Sequence, residues 1–435
     1  MTDRSSLRTT LAGLIRGTGT AALGGALGRL GMLLGLIFAA RSLGPEGMGH
    51  LGLVQATLAM AGILAGIGLG GTLSRALPRW KDTDPARASR ITGLVVLVAA
   101  FGAGVLATSL VIGAPYLAAA LAAETALAPA IALGAVLLLG QACRGLQDGV
   151  LVGLRAHGSM SAARATEGLA ALLLLPPAAA MAGANGAVGA LALAVGLAVL
   201  VGGAGWHRAM SRADLRITFR GAWEEVPILW RYALPSLGAG LAAAPALFAM
   251  TLILSHEAGL AELGLYTAAY QWHGPLVYVP ALLGLVGIPA FVESGGDPVR
   301  FRRLLLWTTA GGAGAALVPA LGVALLSGPI IGHYGPAFAG AAPVLAVLAL
   351  AAPLHAASKL GGAALLAQDR AWAHFGLATG WACLLVALCG FLIPPFGALG
   401  AALAFLASYG GLAAASLTVA LTWTIGAGRA VGAAG

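Results

Sequence analysis

The chain has 435 residues, of which hydrophobic types make up 59%. Its 66 glycines bring the apolar share to about three quarters, against ~45–50% in a soluble domain. Charged residues are only 9%, too few for a hydrated shell, so a soluble globular enzyme, a disordered chain and a nucleic-acid-binding domain are excluded. The net charge of +9 must then be read from where the positive residues sit.

A helix needs roughly 20 apolar residues to cross the hydrocarbon core. Twelve such stretches run through the chain, at approximately 19–41, 50–73, 91–113, 128–151, 166–183, 187–206, 233–254, 263–291, 304–326, 337–366, 373–393 and 399–425. Lipid cannot satisfy open backbone groups, so each should be a helix, and the expected class is an all-α polytopic membrane protein with about 12 transmembrane helices. The basic start at Arg4, Arg8 and Arg16 leads into a full-length span without a cleavage site, which reads as a first membrane helix rather than a cleaved signal.

Twenty of the 24 basic residues fall in the termini and alternate connections, among them Arg75, Arg79, Arg155, Arg164, Arg212, Arg216, Arg300 and Arg370. The opposite loops carry Glu46, Glu124, Glu257 and Glu262 and neither Lys nor Arg. By the positive-inside rule both termini are cytoplasmic. The longest polar interval, 207–232, lies at the midpoint, and divides the chain into two six-helix lobes, residues 1–215 and 216–435. Faint echoes cross it. "GPEGMGHLGLVQA" from Gly44 aligns with "LAELGLYTAAYQW" from Leu260 at an offset of 216, matching Glu46 with Glu262 and Gln55 with Gln271. At an offset of 211, Arg144 meets His355 and Asp148 meets Lys359. Two repeated six-helix lobes are a common transporter plan.

Four basic residues are left inside the spans: Arg29, Arg41, Arg144 and Lys359, with Asp148 beside them. Each costs about 2.5–3.5 kcal/mol at helix centre on insertion scales, so it should face the protein interior or a wet cavity. Arg29, mid-span in the first helix, either grips an anionic substrate group with its planar fork or hydrogen-bonds a neighbouring helix. Arg41, at the outer end of that helix, can snorkel to the interface. Arg144 and Asp148 are spaced i, i+4 and can pair, as a self-neutralising structural unit or as a site where substrate or a proton competes. His355 and Lys359 repeat the spacing. Tyr266, Tyr270, His273 and Val277 form one stripe on the eighth span, polar-tipped rings suited to stacking on sugars, and Gln55 and Gln271 fit the same picture. Prolines crowd the seventh and eighth spans, which suggests bendable gating helices.

Some chemistry is missing. Neither lysine follows a glycine, so there is no GxxxxGK[ST] for ATP, and HExxH and CxxC are absent as well. No metal or cofactor is implied. Asp82-Thr83-Asp84 reads as a solvated turn. Cys143, Cys383 and Cys389 sit in apolar stretches and read as membrane-embedded thiols without a disulfide framework.

Two segments carry a resemblance, "ARSLGPEGMGHLGLVQA" (Ala40–Ala56) and "GIGLGGTLSRALPRW" (Gly66–Trp80). Together they resemble the opening of bacterial polysaccharide flippases, the Wzx-type oligosaccharide exporters of the MOP (multidrug, oligosaccharidyl-lipid, polysaccharide) superfamily. In that family a basic residue ends the first helix, LGPxxxG turns into the second, and a basic stretch follows. Here Arg41, Pro45 and Glu46 occupy the turn, and proline costs nothing in a first helical turn. The resemblance implies a V-shaped, MATE-like fold in the bacterial inner membrane. It implies alternating-access translocation of undecaprenyl-diphosphate-linked oligosaccharide for surface polysaccharide, with no enzymatic chemistry. The partners implied are the lipid-linked oligosaccharide, membrane lipids, and a polysaccharide polymerase and glycosyltransferases working alongside, with no nucleic acid. Arg29, Arg144, Asp148, Lys359 and His355 would make a cationic cavity, and Gln55, Tyr266, Tyr270, Gln271 and His273 the sugar path. The alternatives are a MATE-type drug/cation antiporter, which needs unpaired membrane acids, and a lipid II-type flippase.

Overall fold

The computed structural model describes residues 4–64, 69–122, 127–229, 234–278, 280, 291, 294, 297–368 and 370–432, with side chains in 24–63, 69–121, 127–229, 240–278, 280, 291, 294, 297–368 and 370–422. Every long element among them is helical. In chain order they are α1 (Arg4–Leu64), α2 (Gly70–Trp80), α3 (Pro85–Ala122), α4 (Ala128–Gly153), α5 (His157–Arg212), α6 (Leu234–Glu257), α7 (Leu260–Tyr270), α8 (Pro298–Leu325), α9 (Ala341–Ala367) and α10 (Ala371–Gly432). Eight stretches are long and apolar enough to cross a membrane. Three of these are folded in two at non-helical residues, α1 at Gly44, α5 at Ala182–Gly183 and α10 at Gly397, which makes eleven membrane-length segments among the described residues. The span expected at 263–291 begins as α7 and runs into residues outside those described. Of the span expected at 50–73, α1 covers the part up to Leu64, residues 65–68 lie outside those described, and α2 begins at Gly70.

The chain divides into two compact units, Met1–Leu43 with Val54–Leu237, and Gly44–Leu53 with Gly238–Gly435. The decapeptide 44–53 thus belongs with the C-terminal unit. In the N-terminal unit Leu73, Leu77, Ile91, Leu94, Val95, Val150 and Leu215 form a core that joins α2, α3, α4 and the connector. In the C-terminal unit Phe291, Phe301, Leu305, Leu365 and Ala420 join α8, α9 and α10.

The internal repeat shows in the backbone. Gly44 and Gly259 precede their helices with φ/ψ of 67°/178° and 89°/169°, and Gly183 and Gly397 break theirs with 55°/−139° and 53°/−130°. These left-handed and mirror conformations favour a residue without Cβ. The pairs stand 215 and 214 positions apart. This corrects the offsets of 216 and 211 and sets Arg144 against Ser358 or Lys359 rather than His355. Weak side-chain echoes allowed the slip, whereas the hinge glycines fix the register. The Asp82–Asp84 segment is a turn and helix start. Asp84 Oδ1 accepts the Arg87 N–H at 2.9 Å, and Asp82 pairs with Lys81 at 2.6 Å. Cys143, Cys383 and Cys389 are free thiols.

Candidate functional site

The charged site lies wholly in the N-terminal unit. α5 begins at His157, nine residues before the expected span, so Arg164 and Glu167 stand inside a helix, not in a loop or at a helix end. The sequence reading missed both because the apolar run starts only at Thr166; their i, i+3 spacing on a charged helix face was the available signal. α1 reaches them through glycines. A Cβ added at Gly28 would collide with the Arg164 carbonyl oxygen, and one at Gly168 with the Gly28 carbonyl oxygen. Gly24, Gly31 and Gly35 make the same close approach to Ser161, Gly168 and Ala171. This contact carries Arg29 beside α5.

Gly25, Gly28, Arg29, Arg144, Asp148, Arg164, Glu167 and Gly168 line a cavity of about 310 Å³. Three arginines and two acids are among its lining. Arg164 Nη2 donates to Asp148 Oδ2 at 3.0 Å. Arg144, 7% exposed, is held more loosely. Its contacts are Asp148 Oδ1 at 3.4 Å, Glu167 Oε2 at 3.7 Å and Gln147 Oε1 at 3.5 Å. Charge-assisted N–H···O bonds normally measure ≈ 2.7–2.9 Å. Arg144 Nε and Asp148 Oδ1, both buried, have no hydrogen-bond partner. Gln147 keeps the helix in place by donating to the Val199 carbonyl at 2.9 Å. The expected Arg144–Asp148 pair is therefore present, but as part of a larger group of five that also draws in Arg29, Arg164 and Glu167.

The C-terminal unit holds the polar-tipped rings, and they stack. Tyr266–Tyr270 and Tyr270–His273 centroids lie 5.7 Å apart, His273–His355 5.2 Å and His355–Tyr409 4.2 Å, and Trp381 meets Tyr409 at a tilt with centroids 5.0 Å apart. Phe405 meets Tyr270 and His273 edge-on. His273 Nδ1 lies 3.2 Å from the Leu348 carbonyl, and its Nε2 2.9 Å from His355 Nδ1. A carbonyl only accepts, so Nδ1 carries the proton of the neutral His273 ring, Nε2 accepts, and His355 Nδ1 donates. Tyr266 and His273 are 4% and 3% exposed. In this structure they pack inside the stack, where each ring covers the next. Tyr270, Gln271 and His355 are partly exposed, and Lys359, one turn beyond His355, is exposed. The Gln271 amide is buried at both heteroatoms with no partner.

Arg41, Pro45 and Glu46 lie around the Gly44 break in α1. Pro45 opens the second half of α1 directly after Gly44. Arg41 is exposed at the end of the first half, 5.5 Å from the Phe38 ring. Glu46 is exposed and Gln55 half-buried. Glu262 does unforeseen work, accepting the Ala398 N–H at 2.8 Å just past the Gly397 break. Just past α7, Trp272 donates to the Tyr334 hydroxyl at 3.0 Å, which donates in turn to the Ala268 carbonyl at 3.3 Å. Burial pushes the Tyr334 hydroxyl above its ordinary pKa, and the Trp272 donor opposes that.

The fold is that of the MOP-superfamily transporters. An inward-facing multidrug resistance MATE family transporter of that superfamily superposes with a TM-score of 0.73 at 16% identity, covering 93% of this chain and 97% of that one. The lipid II flippase MurJ, in an inward closed conformation, gives 0.70 at 12% identity over 93% and 87%.

Within that class, the family described as "Polysaccharide biosynthesis protein" matches residues 14–294, and the chain belongs to it. It is 26% identical to the EPS I polysaccharide export inner membrane protein EpsE of Ralstonia nicotianae, over 81% of this chain and 80% of that protein. EpsE of Ralstonia solanacearum is 30% identical over 51% of this chain and 52% of that protein. The expected all-α polytopic fold and the resemblance to polysaccharide exporters of the MOP superfamily are borne out.

Proposed function

We propose that this chain is a flippase that carries undecaprenyl-diphosphate-linked oligosaccharide across the bacterial inner membrane by alternating access. The family and the export role in the name of its EpsE relatives supply the cargo class. The observation that carries the reading is Arg144. It is a buried guanidinium in a walled cavity, held by contacts no shorter than 3.4 Å and with Nε unbonded. Diphosphate oxygens would meet it at shorter range and in the forked geometry that arginine favours. Arg29 and Arg164 flank the same cavity. Asp148 and Glu167 act as internal counter-anions, which makes the arginines tolerable in the membrane until cargo competes for them. Tyr270, Gln271, Gln55, His355 and Lys359 serve the sugars, with Tyr266 and His273 holding the exposed rings from behind.

The antiporter alternative calls for unpaired membrane acids. Asp148 and Glu167 are both paired with arginine, which favours an anionic cargo. In inverted vesicles supplied with lipid-linked oligosaccharide, Arg144→Gln should abolish appearance of the glycan on the far leaflet at normal protein levels. Full translocation by Arg144→Gln and by Arg29→Gln/Arg144→Gln would refute the proposal.

A further inference from the structure

The connector after α5 has a composition that its position must explain. From Arg212 it reads Arg-Ala-Asp-Leu-Arg-Ile-Thr-Phe-Arg-Gly-Ala-Trp, with an arginine at every fourth position. Leu215 is buried and anchors it, yet Ile217 is 42%, Phe219 56% and Trp223 66% exposed. A water-facing loop would not present three large apolar side chains in a row with arginines. A segment lying in the headgroup layer would, with its apolar groups toward the acyl boundary and its basic groups on the phosphates.

The segment is fixed where that layer should be. The Thr218 N–H donates to the Ser89 carbonyl at 3.4 Å, and the Arg216 N–H donates to the Ser89 hydroxyl at 3.3 Å. Ser89 stands one turn inside α3, just ahead of the apolar run that opens at Ile91. Glu225, buried, locks the far end by accepting from Arg87 at 2.9 Å and Arg90 at 3.2 Å. Between these ties lies a second cavity of about 370 Å³, lined by Ser89, Arg90, Asp214, Arg216, Thr218 and Arg220. It holds three arginines against one acid. Arg90 is engaged by Glu225, while the Arg216 and Arg220 guanidinium groups make no ion pair among the described residues.

We propose that this connector is a membrane-surface element, and that its cavity binds the phosphate of an anionic glycerophospholipid of the cytoplasmic leaflet. Arg216 and Arg220 hold the phosphate, Ser89 and Thr218 supply hydroxyls, and Phe219 and Trp223 enter the acyl boundary. The site does not use the Arg144 cavity and stands independently of the cargo.

The full chain, purified in detergent with equal phosphatidylglycerol and phosphatidylcholine, should retain phosphatidylglycerol preferentially by native mass spectrometry. Arg216→Gln/Arg220→Gln should weaken that retention on the order of thirtyfold, the worth of two arginines at an anionic surface. Arg302→Gln/Arg303→Gln, at exposed arginines of α8, should leave it unchanged. In phosphatidylglycerol bilayers with brominated acyl chains, Trp223→Phe should remove part of the tryptophan quenching. Equal retention of both lipids, an equal loss in the α8 variant, or quenching unaffected by Trp223→Phe would each overturn the proposal. Displacement of the lipid by inorganic phosphate, or by undecaprenyl phosphate at equal concentration, would overturn the assignment to a glycerophospholipid.

Discussion

The two units solve the same problem, polar groups in a membrane, in opposite ways. In the N-terminal unit, five ionisable side chains share one cavity, with Arg164–Asp148 at 3.0 Å and the Arg144 contacts at 3.4–3.7 Å, and buried polar atoms are left unbonded in both units. In the C-terminal unit, rings cover one another, and the one polar contact between them, His273 to His355, is a well-formed bond of 2.9 Å. Loose ion pairs can exchange partners at little cost, whereas a stacked column gives up packing as soon as it opens. Under the proposed function, recognition falls to the first unit and rigidity to the second.

The largest effects should break the charged side. Arg144→Ala leaves Asp148 and Glu167 facing the cavity with fewer counter-charges. We expect translocation to fall at least tenfold at normal protein level, and Asp148→Asn added to Arg144→Ala not to restore it, read by immunoblot beside the vesicle assay. Next comes Phe405→Ala, which empties the elbow of the ring column. Its cost of about 3–5 kcal/mol should appear as a lower melting temperature in detergent, with transport per folded molecule retained. If transport fails while melting is unchanged, the assignment of rigidity to this unit fails too. Gly28→Leu tests the contact that brings Arg29 to the cavity. The added side chain meets the α5 backbone, and overpacking of about 1–3 kcal/mol should lower the melting temperature and weaken transport together. Smallest is Trp272→Phe, which deletes one hydrogen bond to Tyr334 worth about 1 kcal/mol. It should shift melting slightly and leave transport alone.

Much of the scaffold was legible in the sequence because lipid imposes simple rules. Span length, helicity and the Arg144–Asp148 pair follow from hydrocarbon thickness and from i, i+4 geometry. Arg164 and Glu167 escaped because the start of α5 is set by the turn at Leu154–Ala156, not by hydropathy. Glycine carries little weight in so glycine-rich a chain, so the stripe of Gly24, Gly28, Gly31 and Gly35 looked like composition until the α5 backbone was seen against it. Periodicity puts Tyr266, Tyr270 and His273 on one stripe, but it cannot tell a face that looks onto space from one that looks onto other rings. Only Phe405, Tyr409 and Trp381, more than a hundred residues away, make that distinction.

The decapeptide Gly44–Leu53 has a consequence for how the protein is made. It packs against α7, where a Cβ on Gly49 would strike the Leu260 carbonyl, one on Gly264 the Pro45 carbonyl, and one on Gly52 the Thr267 hydroxyl. At synthesis rates of ≈ 5–20 residues per second, α7 leaves the ribosome roughly ten to forty seconds after that decapeptide. Until then the glycine face is uncovered, open to lipid or to another nascent chain. A polypeptide halted before Leu260 thus never completes its own N-terminal portion, and biogenesis of both halves is tied to a contact that only the later-made one can supply.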